Sequence, residues 1–198
     1  MAHSFCIEPD TLIDLTEREC ARLLRVARES ITTGLATGQP LQLDDALLSG
    51  PLGTHISCFV TLTRQAKLRG CVGSLQHTRP LVCDVATNAC HAAISDARFK
   101  PVREHELAGL TIEISMLSPP TPIECKSEAD LLAQLVPGAD GLVLTDRSHH
   151  ATFLPKVWER LAEPQQFLRE LKRKAGLSAN HWSATLRIAR YRTISFGQ

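Results

Sequence analysis

The alternation of apolar and polar residues along the chain predicts the strands of a sheet. Every second residue from Ile56 to Leu62 is apolar, so residues 55–64 should form a strand with one face on a core. A short link at 65–67 should return the chain as a second strand over 68–75, in a hairpin. The same alternation predicts further strands over residues 110–117, 141–145, 150–154 and 185–191.

Apolar residues at intervals of three and four predict the helices. Thr16 and Glu19 have the spacing of a capping box, and an apolar stripe follows until Gly34, where we expect that helix to end. The clearest pattern covers residues 78–95, whose alanine-rich stripe should pack closely on a sheet. Shorter helices are predicted over residues 127–136, from Pro155 onward and over 164–176, because serine suits a cap and proline suits a first turn.

Segments rich in glycine and proline separate these elements. Residues 34–53 lack periodicity and should form a long connection, with a short helical turn at 44–48. Residues 96–102 are predicted to form a loop. The prolines within 118–122 should end the strand that precedes them.

The order of the predicted elements favours the α+β class. Several strands follow one another through short links, and the regular strand–helix alternation of a parallel α/β sheet is missing. We therefore predict a mainly antiparallel sheet with helices packed on it. Residues 1–14 should form a lead-in, and residues 15–198 a single domain.

The charge of the chain gives little drive toward nucleic acid or membrane. Its 198 residues carry a formal net charge of +1. Basic residues gather near the C-terminus: Arg169, Lys172, Arg173, Lys174, Arg187, Arg190 and Arg192. Two interpretations remain open, a solvated helix face followed by an edge strand, or a patch facing an anion or nucleic acid. We favour the first and expect no nucleic-acid partner.

The seven cysteines predict reduced thiols and no metal centre. Their number is odd, no C-x-x-C pair occurs, and we expect neither a metal nor a cofactor. No secretory signal and no apolar run of transmembrane length are visible. These features predict a cytoplasmic protein without membrane contact.

The stretch from Leu68 to Leu75 is the strongest candidate for a site. Cys71 lies between Gly70 and Gly73, with Arg69 two residues upstream. An arginine near a thiol favours the reactive thiolate, and glycine lets a ligand approach closely. Equally open are a small core cysteine, glycines that serve a bulge or packing, and an Arg69 that makes a structural salt bridge to Glu113 or Asp96.

Four further residues are candidates for the same site. Asp96 and Arg98 lie in the loop after the long helix, where functional groups are often displayed. Glu113 lies in mid-strand and could act as a general base, or be an ordinary exposed carboxylate. His150 follows another histidine in a predicted hairpin and could partner Cys71, or be a plain turn residue.

The segment Leu68 to Gly73 closely resembles the signature of the AMMECR domain family. Further blocks in the same order resemble other motifs of that family, at residues 59–62, 96–102, 112–119, 140–142, 153–157 and 174–177, followed by Trp182. Ala97 stands where the family usually has proline, and Asp140 where it commonly has histidine. The resemblance covers about residues 15–196.

The resemblance implies an α+β fold with two unequal lobes, and it leaves the activity open. Bacterial members resemble the A component of the AmmeMemoRadiSam system, whose companions are a Memo-like protein and a radical-SAM protein.

Three hypotheses about function follow. The first is an enzyme for a small anionic or carbonyl substrate, with Cys71 as nucleophile, Arg69 as anion clamp and Glu113 or Asp96 as acid/base. The second is a non-catalytic accessory subunit of those companions. The third, which we rank last, is nucleic-acid binding through the basic segment.

Overall fold

The computed structural model describes residues 12–198, which divide into two compact units. The first unit holds residues 12–117 and 194–198, and the second unit holds residues 118–193. Most of the predicted lead-in, up to residue 11, lies outside the described residues. The assignment of a single domain with two lobes stays a prediction.

Helices and strands alternate irregularly along the described chain. The α-helices are α1 Glu17–Thr37, α2 Leu81–Ile94, α3 Glu128–Gln134 and α4 Pro164–Lys174. The strands are β1 Cys58–Arg64, β2 Lys67–Gly73, β3 Leu110–Leu117, β4 Thr121–Pro122, β5 Gly141–Asp146, β6 His149–Phe153, β7 Arg187–Tyr191 and β8 Thr193–Gly197. Short 3-10 helices cover Asp45–Leu47, Gly50–Gly53, Glu104–Gly109 and Pro155–Glu159.

The first unit is built on a four-stranded sheet in the order β2-β1-β3-β8. Strand β1 pairs antiparallel with both β2 and β3. The alternate residues from Cys58 to Leu62 are fully buried, as are Ile112 and Ile114 of β3, so the predicted core faces of these strands are confirmed. Helix α2 packs on β1 and β2, and α1 packs on α2. The α+β prediction is confirmed.

Helix α1 begins as predicted but does not end where expected. Thr16 and Glu19 form the reciprocal capping box. The helix runs past Gly34 to Thr37 and ends at Gly38, whose φ of 74° is left-handed. Gly34 is buried inside the helix, and a Cβ there would lie 2.5 Å from the sulfur of Cys90 on α2. Gly34 therefore lets α1 and α2 pack closely and does not terminate α1.

A buried polar network, which the sequence did not indicate, fastens α2 to β1. The Asp84 carboxylate accepts hydrogen bonds from the Cys58 backbone N–H at 2.9 Å, from Arg79 at 2.6 Å and from Asn88 at 2.9 Å. Asn88 in turn donates to the Cys58 carbonyl at 3.0 Å. Because each buried group has a partner, the network fixes the start of β1 against the helix.

The β1–β2 hairpin contains two irregularities that matter for the site. Its turn residues Gln65 and Ala66 have φ values of 51° and 58°, in the left-handed region that disfavours residues with a Cβ. The register also shifts, so that Leu62 faces Gly70 while Thr63 faces Leu68. Arg69 is the extra residue of this β-bulge, and a bulge re-aims the side chain that it carries.

The second unit is built on another four-stranded sheet, in the order β4-β7-β5-β6. Its core holds the stacked rings of Trp158 and Phe167, whose centroids lie 3.8 Å apart. The strands predicted over 141–145 and 150–154 occur, shifted by one residue at some ends. Pro155 begins a 3-10 helix instead of an α-helix, and β8 was not predicted.

Candidate functional site

Two candidate side chains, those of Cys71 and Glu113, form a row with Thr61 across the first sheet. Cys71 on β2 is opposite Thr61 on β1, and Thr61 is opposite Glu113 on β3. Thr61 alternates with the buried Val60 and Leu62, so the row lies on the sheet face away from that core. Adjacent strands are about 4.8 Å apart, which separates the Cα atoms of Cys71 and Glu113 by about 10 Å. All three residues are partly exposed.

Two donors lie next to the Cys71 sulfur. The Thr61 hydroxyl donates a hydrogen bond to it over 3.4 Å. The guanidinium of Arg98 donates to the carbonyl of Cys71 at 3.2 Å, and the pKa of Arg98 is raised chiefly by hydrogen bonding to Asp96 and further by Cys71. The positive charge beside the thiol is therefore that of Arg98, whereas the sequence spacing had pointed to Arg69.

Asp96 and Arg98 clamp the backbone of Cys71. The Asp96 carboxylate accepts the Cys71 N–H at 2.8 Å, and Arg98 donates to the Cys71 carbonyl at 3.2 Å. The two side chains bind each other through two parallel hydrogen bonds of 2.9 and 2.7 Å. Hydrogen bonding to Arg98, against a smaller opposing effect of burial, lowers the pKa of Asp96 to about 2. The clamp holds the outer edge of β2, which is the edge strand of this sheet within residues 12–198.

The fork of Arg69 is occupied by Glu106. Its Nε and Nη2 atoms each lie 2.9 Å from a Glu106 oxygen, and it also donates to the carbonyls of Lys100 and Pro101. The structural salt bridge, which the sequence left open beside anion binding, thus exists, but its partner is neither Glu113 nor Asp96. Hydrogen bonding to Arg69 lowers the pKa of Glu106 to about 2. Glu106 lies 37 positions from Arg69 along the chain, and no local pattern could have indicated it.

The space above the two glycines is filled by the protein itself. A Cβ on Gly70 would lie 2.1 Å from the Ala92 carbonyl oxygen of α2. A Cβ on Gly73 would lie 2.3 Å from the ring of Phe59. Both glycines therefore permit close packing within the first unit, which is the structural alternative considered from the sequence.

Glu113 and His150 occupy different units. Glu113 is on β3, in the row with Thr61. His150 is on β6 of the second unit, exposed, with its Nδ1 3.2 Å from the Thr145 hydroxyl. Cys71 is on β2 of the first unit. The predicted role of His150 as a partner of Cys71 stays a prediction.

The other described cysteines differ from Cys71 in their surroundings. Burial raises the pKa of Cys58 well above its usual value, and the nearby Asp84 adds to this. Burial likewise raises the thiol pKa of the remaining four, Cys20, Cys83, Cys90 and Cys125. No group of three or more histidine, cysteine or acidic residues within 12–198 is placed to hold a metal ion. None of the helices found in that range is long and apolar enough to cross a membrane.

A serine, a histidine and an aspartate meet in the second unit without forming a nucleophilic triad. His181 Nε2 lies 2.5 Å from Asp146 Oδ2, and the hydroxyl of Ser183 donates to the same oxygen at 2.8 Å. Thr185 donates to the other oxygen. These hydrogen bonds, that of Thr185 first, hold the pKa of Asp146 well below its usual range. In a triad the serine would bond the histidine, so this cluster serves to anchor the loop before β7.

Several residues of the C-terminal basic segment are neutralised within the fold. Lys172 is fully buried and bonds Glu128 at 2.7 Å, and Arg173 bonds Glu170 at 2.6 Å. The guanidinium of Arg187 donates to two carbonyls of its own loop. Such engagement is typical of structural cations and gives no support to a nucleic-acid surface.

The family comparison agrees with the motif blocks. The AMMECR1 family matches residues 24–196. An uncharacterised protein of Methanothermobacter thermautotrophicus is 34% identical over 164 residues, covering 82% of this chain and 85% of its own length. A protein of Saccharolobus solfataricus is 34% identical over 191 residues, covering 92% of this chain and 83% of its own.

A solved structure has the same fold. The crystal structure of an uncharacterised protein from Pyrococcus horikoshii matches with a TM-score of 0.85 at 29% sequence identity, covering 93% of each chain. The similarity therefore extends over both units.

Proposed function

The chain belongs to the AMMECR1 family, and we propose that in this member strand β2 carries a small-molecule site centred on the thiol of Cys71. The observation that carries the proposal is the placement of that thiol. It is partly exposed, it accepts a hydrogen bond from Thr61, and it lies beside the Arg98 guanidinium. A thiol kept only for packing has no need of two polar donors.

The residues around Cys71 then have two distinct roles. Cys71, Thr61 and Glu113 face the ligand, since they share one row on one face of the sheet. Asp96 is a positioning residue, because its carboxylate is committed to Arg98 and to the Cys71 N–H. A carboxylate with a pKa of about 2 is a poor acid at neutral pH, so of the two proposed acid/base groups we retain Glu113.

The chemistry that suits this row is addition of the thiol to an electrophilic carbonyl carbon. The sulfur forms a bond to carbon, the C=O π bond opens, and the thiol proton ends on the oxygen, with Glu113 as the proposed carrier of that proton. A substrate with a carboxylate or phosphate beside its carbonyl would be drawn to Nη1 of Arg98, which makes no hydrogen bond to the described residues. This is the class of small anionic carbonyl compounds.

The experiment that tests the site is competitive labelling of the cysteines in the native protein. Iodoacetamide is added in limiting amount and each cysteine is followed by peptide mass spectrometry. We expect Cys71 to be labelled at least about tenfold faster than Cys83 and Cys125, whose thiols have raised pKa values. Millimolar pyruvate or glyoxylate should slow the labelling of Cys71 and leave Cys125 unaffected.

Variants identify which neighbours matter. Thr61→Val removes one hydroxyl at constant shape and should slow Cys71 labelling. Arg98→Gln should slow it further, because the adjacent positive charge is lost. Lys100→Gln is the matched control, since it removes a positive charge from the same loop and the Lys100 side chain makes no hydrogen bond or ion pair within residues 12–198. Equal labelling of Cys71 and Cys125, or protection by neither carbonyl compound, would contradict the proposal.

A non-catalytic accessory role is the second candidate, and one observation favours it. The carboxylates of Asp96 and Glu106 are both held ionised by arginine, which leaves the thiol with few groups able to transfer a proton. In this alternative the site presents a bound ligand to Memo-like and radical-SAM companions. Co-purification with those proteins that is lost on Cys71 alkylation would support it, and absence of association at micromolar concentration would count against it.

A further inference from the structure

A buried carboxylate with two arginines lies at one end of the second sheet. Asp140, just before β5, is fully buried, and its Oδ2 accepts the Val136 N–H at 2.7 Å. Arg190 and Arg192 approach the same carboxylate, with closest N–O distances of 3.6 and 3.3 Å. Both arginines are largely buried, with 24% and 34% of their side chains exposed. All these residues belong to the second unit.

The hydrogen-bonding capacity of this cluster is almost unused. Within residues 12–198, neither guanidinium makes a hydrogen bond of acceptable geometry, although each carries five N–H donors. Asp140 Oδ1 is buried and also lacks a hydrogen bond. Elsewhere in the chain, the guanidiniums of Arg69 and Arg98 each make several hydrogen bonds. The fold therefore supplies hydrogen-bond acceptors to Arg69 and Arg98, whereas residues 12–198 supply none to the guanidiniums of Arg190 and Arg192.

A third unpartnered polar group lies beside the pair. Thr121 on β4 is directly opposite Arg190 on β7, and its buried hydroxyl has no hydrogen-bond partner among the described residues. Directly opposed strand residues are separated by about 5 Å between Cβ atoms, so this hydroxyl and the Arg190 side chain border the same space. Buried polar groups in native proteins are paired with protein, water or ligand. The Thr121 hydroxyl and the two guanidiniums therefore offer hydrogen-bond donors at one place that no residue within 12–198 accepts.

The charge balance defines what the occupant should be. Two guanidiniums share one carboxylate, which leaves one positive charge in excess in a partly desolvated place. The free donors are guanidinium N–H groups and one hydroxyl, and planar guanidinium forks match carboxylate and phosphate oxygens. A water molecule would satisfy a hydrogen bond and would leave the excess charge unbalanced.

We propose that Arg190, Arg192 and Thr121 form a binding site for a small oxyanion, with Asp140 holding the two arginines in place. The ligand is a phosphate or carboxylate group, either free or as part of a metabolite. This site lies in the second unit and is independent of the Cys71 row. It also gives Arg190 and Arg192, two residues of the C-terminal basic segment, a role beyond their ion pairs with Asp140.

The test compares anions at constant ionic strength. Melting of the full chain is followed in sodium chloride, sodium phosphate and sodium acetate, and phosphate binding is titrated by calorimetry. We expect phosphate to raise the melting temperature above that in chloride and to bind once per chain. A larger shift in acetate would assign the site to carboxylate groups instead of phosphate groups.

Three variants show where the anion binds. Arg192→Gln should lose at least half of the phosphate-induced shift, whereas Arg169→Gln should keep it, because Arg169 is exposed on α4 and lies outside the cluster. Thr121→Val, which removes only a hydroxyl, should weaken phosphate binding severalfold and covers the case that Arg192→Gln does not fold. No stabilisation by either anion beyond chloride, or an equal loss in Arg169→Gln, would overturn the proposal.

Discussion

Replacing Gly70 by alanine tests whether this glycine serves packing or ligand approach. The new Cβ would lie 2.1 Å from the Ala92 carbonyl oxygen, whereas real Cβ contacts essentially never fall below 3.0 Å. Helix α2 and strand β2 would have to separate by about 1 Å. Because the obstacle is backbone, no rotamer change can relieve it. Overpacking of this kind costs about 2–3 kcal/mol of unfolding free energy.

The assay is thermal and urea unfolding of the Gly70→Ala variant beside wild type. For a chain of this size, 2–3 kcal/mol corresponds to a melting temperature lowered by about 4–12 °C. Gly109→Ala is the matched control, because its Cβ would meet nothing closer than the Arg64 side chain at 3.7 Å. That variant should melt within about 2 °C of wild type.

The outcome distinguishes the two roles of Gly70. A variant as stable as Gly109→Ala would refute the packing argument. If such a stable variant also lost the protection of Cys71 by carbonyl compounds, ligand approach would be the role of this glycine, as the sequence first suggested. A destabilised variant that still shows this protection confirms packing.

Three further predictions concern the stability of the fold. The pKa of Glu106 in the folded state is about 2, below its usual 4.5, so its ionised carboxylate stabilises the fold above about pH 4.5 and this effect is lost as the pH falls toward 2. The urea midpoint of Glu106→Gln should therefore vary less between these pH values than that of wild type or of the exposed control Glu104→Gln. Ala66→Gly should raise the free energy of unfolding by about 0.5–1 kcal/mol in urea titrations, because glycine adopts the positive φ of the β1–β2 turn without strain, and an unchanged value would contradict this. Glu128→Ala should destabilise the chain by about 1–3 kcal/mol and Lys172→Met by less, since the first leaves a buried ammonium without its carboxylate; the reverse order in urea unfolding would refute this.

The periodicity of the sequence was sufficient to predict which residues face the core. A period of two places every second residue of β1 on one face, and this depends only on local geometry. The capping box of α1 was likewise predictable, because its two residues are three positions apart. The end of the same helix was not predictable, since the role of Gly34 depends on Cys90, which lies next to it only in the folded unit.

The sequence could indicate which segments carry the candidate site, but not which side chains bind each other there. Cys71 and Arg98 could be selected from the sequence because glycines and loops mark such places. The salt-bridge partner of Arg69 could not be predicted, because Glu106 lies in a 3-10 helix that the sequence periodicity does not indicate. The β-bulge at Arg69 also breaks the alternation on which an assignment of faces depends.

The arginines of this chain show how hydrogen-bond accounting separates structural from functional cations. Arg69 fills its fork with one carboxylate and two carbonyls, so little of its binding capacity remains. Arg98 binds Asp96 and the Cys71 carbonyl through Nε and Nη2, and its Nη1 makes no hydrogen bond within residues 12–198, which suits the two roles that we propose for it. Arg190 and Arg192 approach a fully buried carboxylate and make no hydrogen bond to residues 12–198. Their N–H donors are therefore available to the oxyanion that we propose for this site.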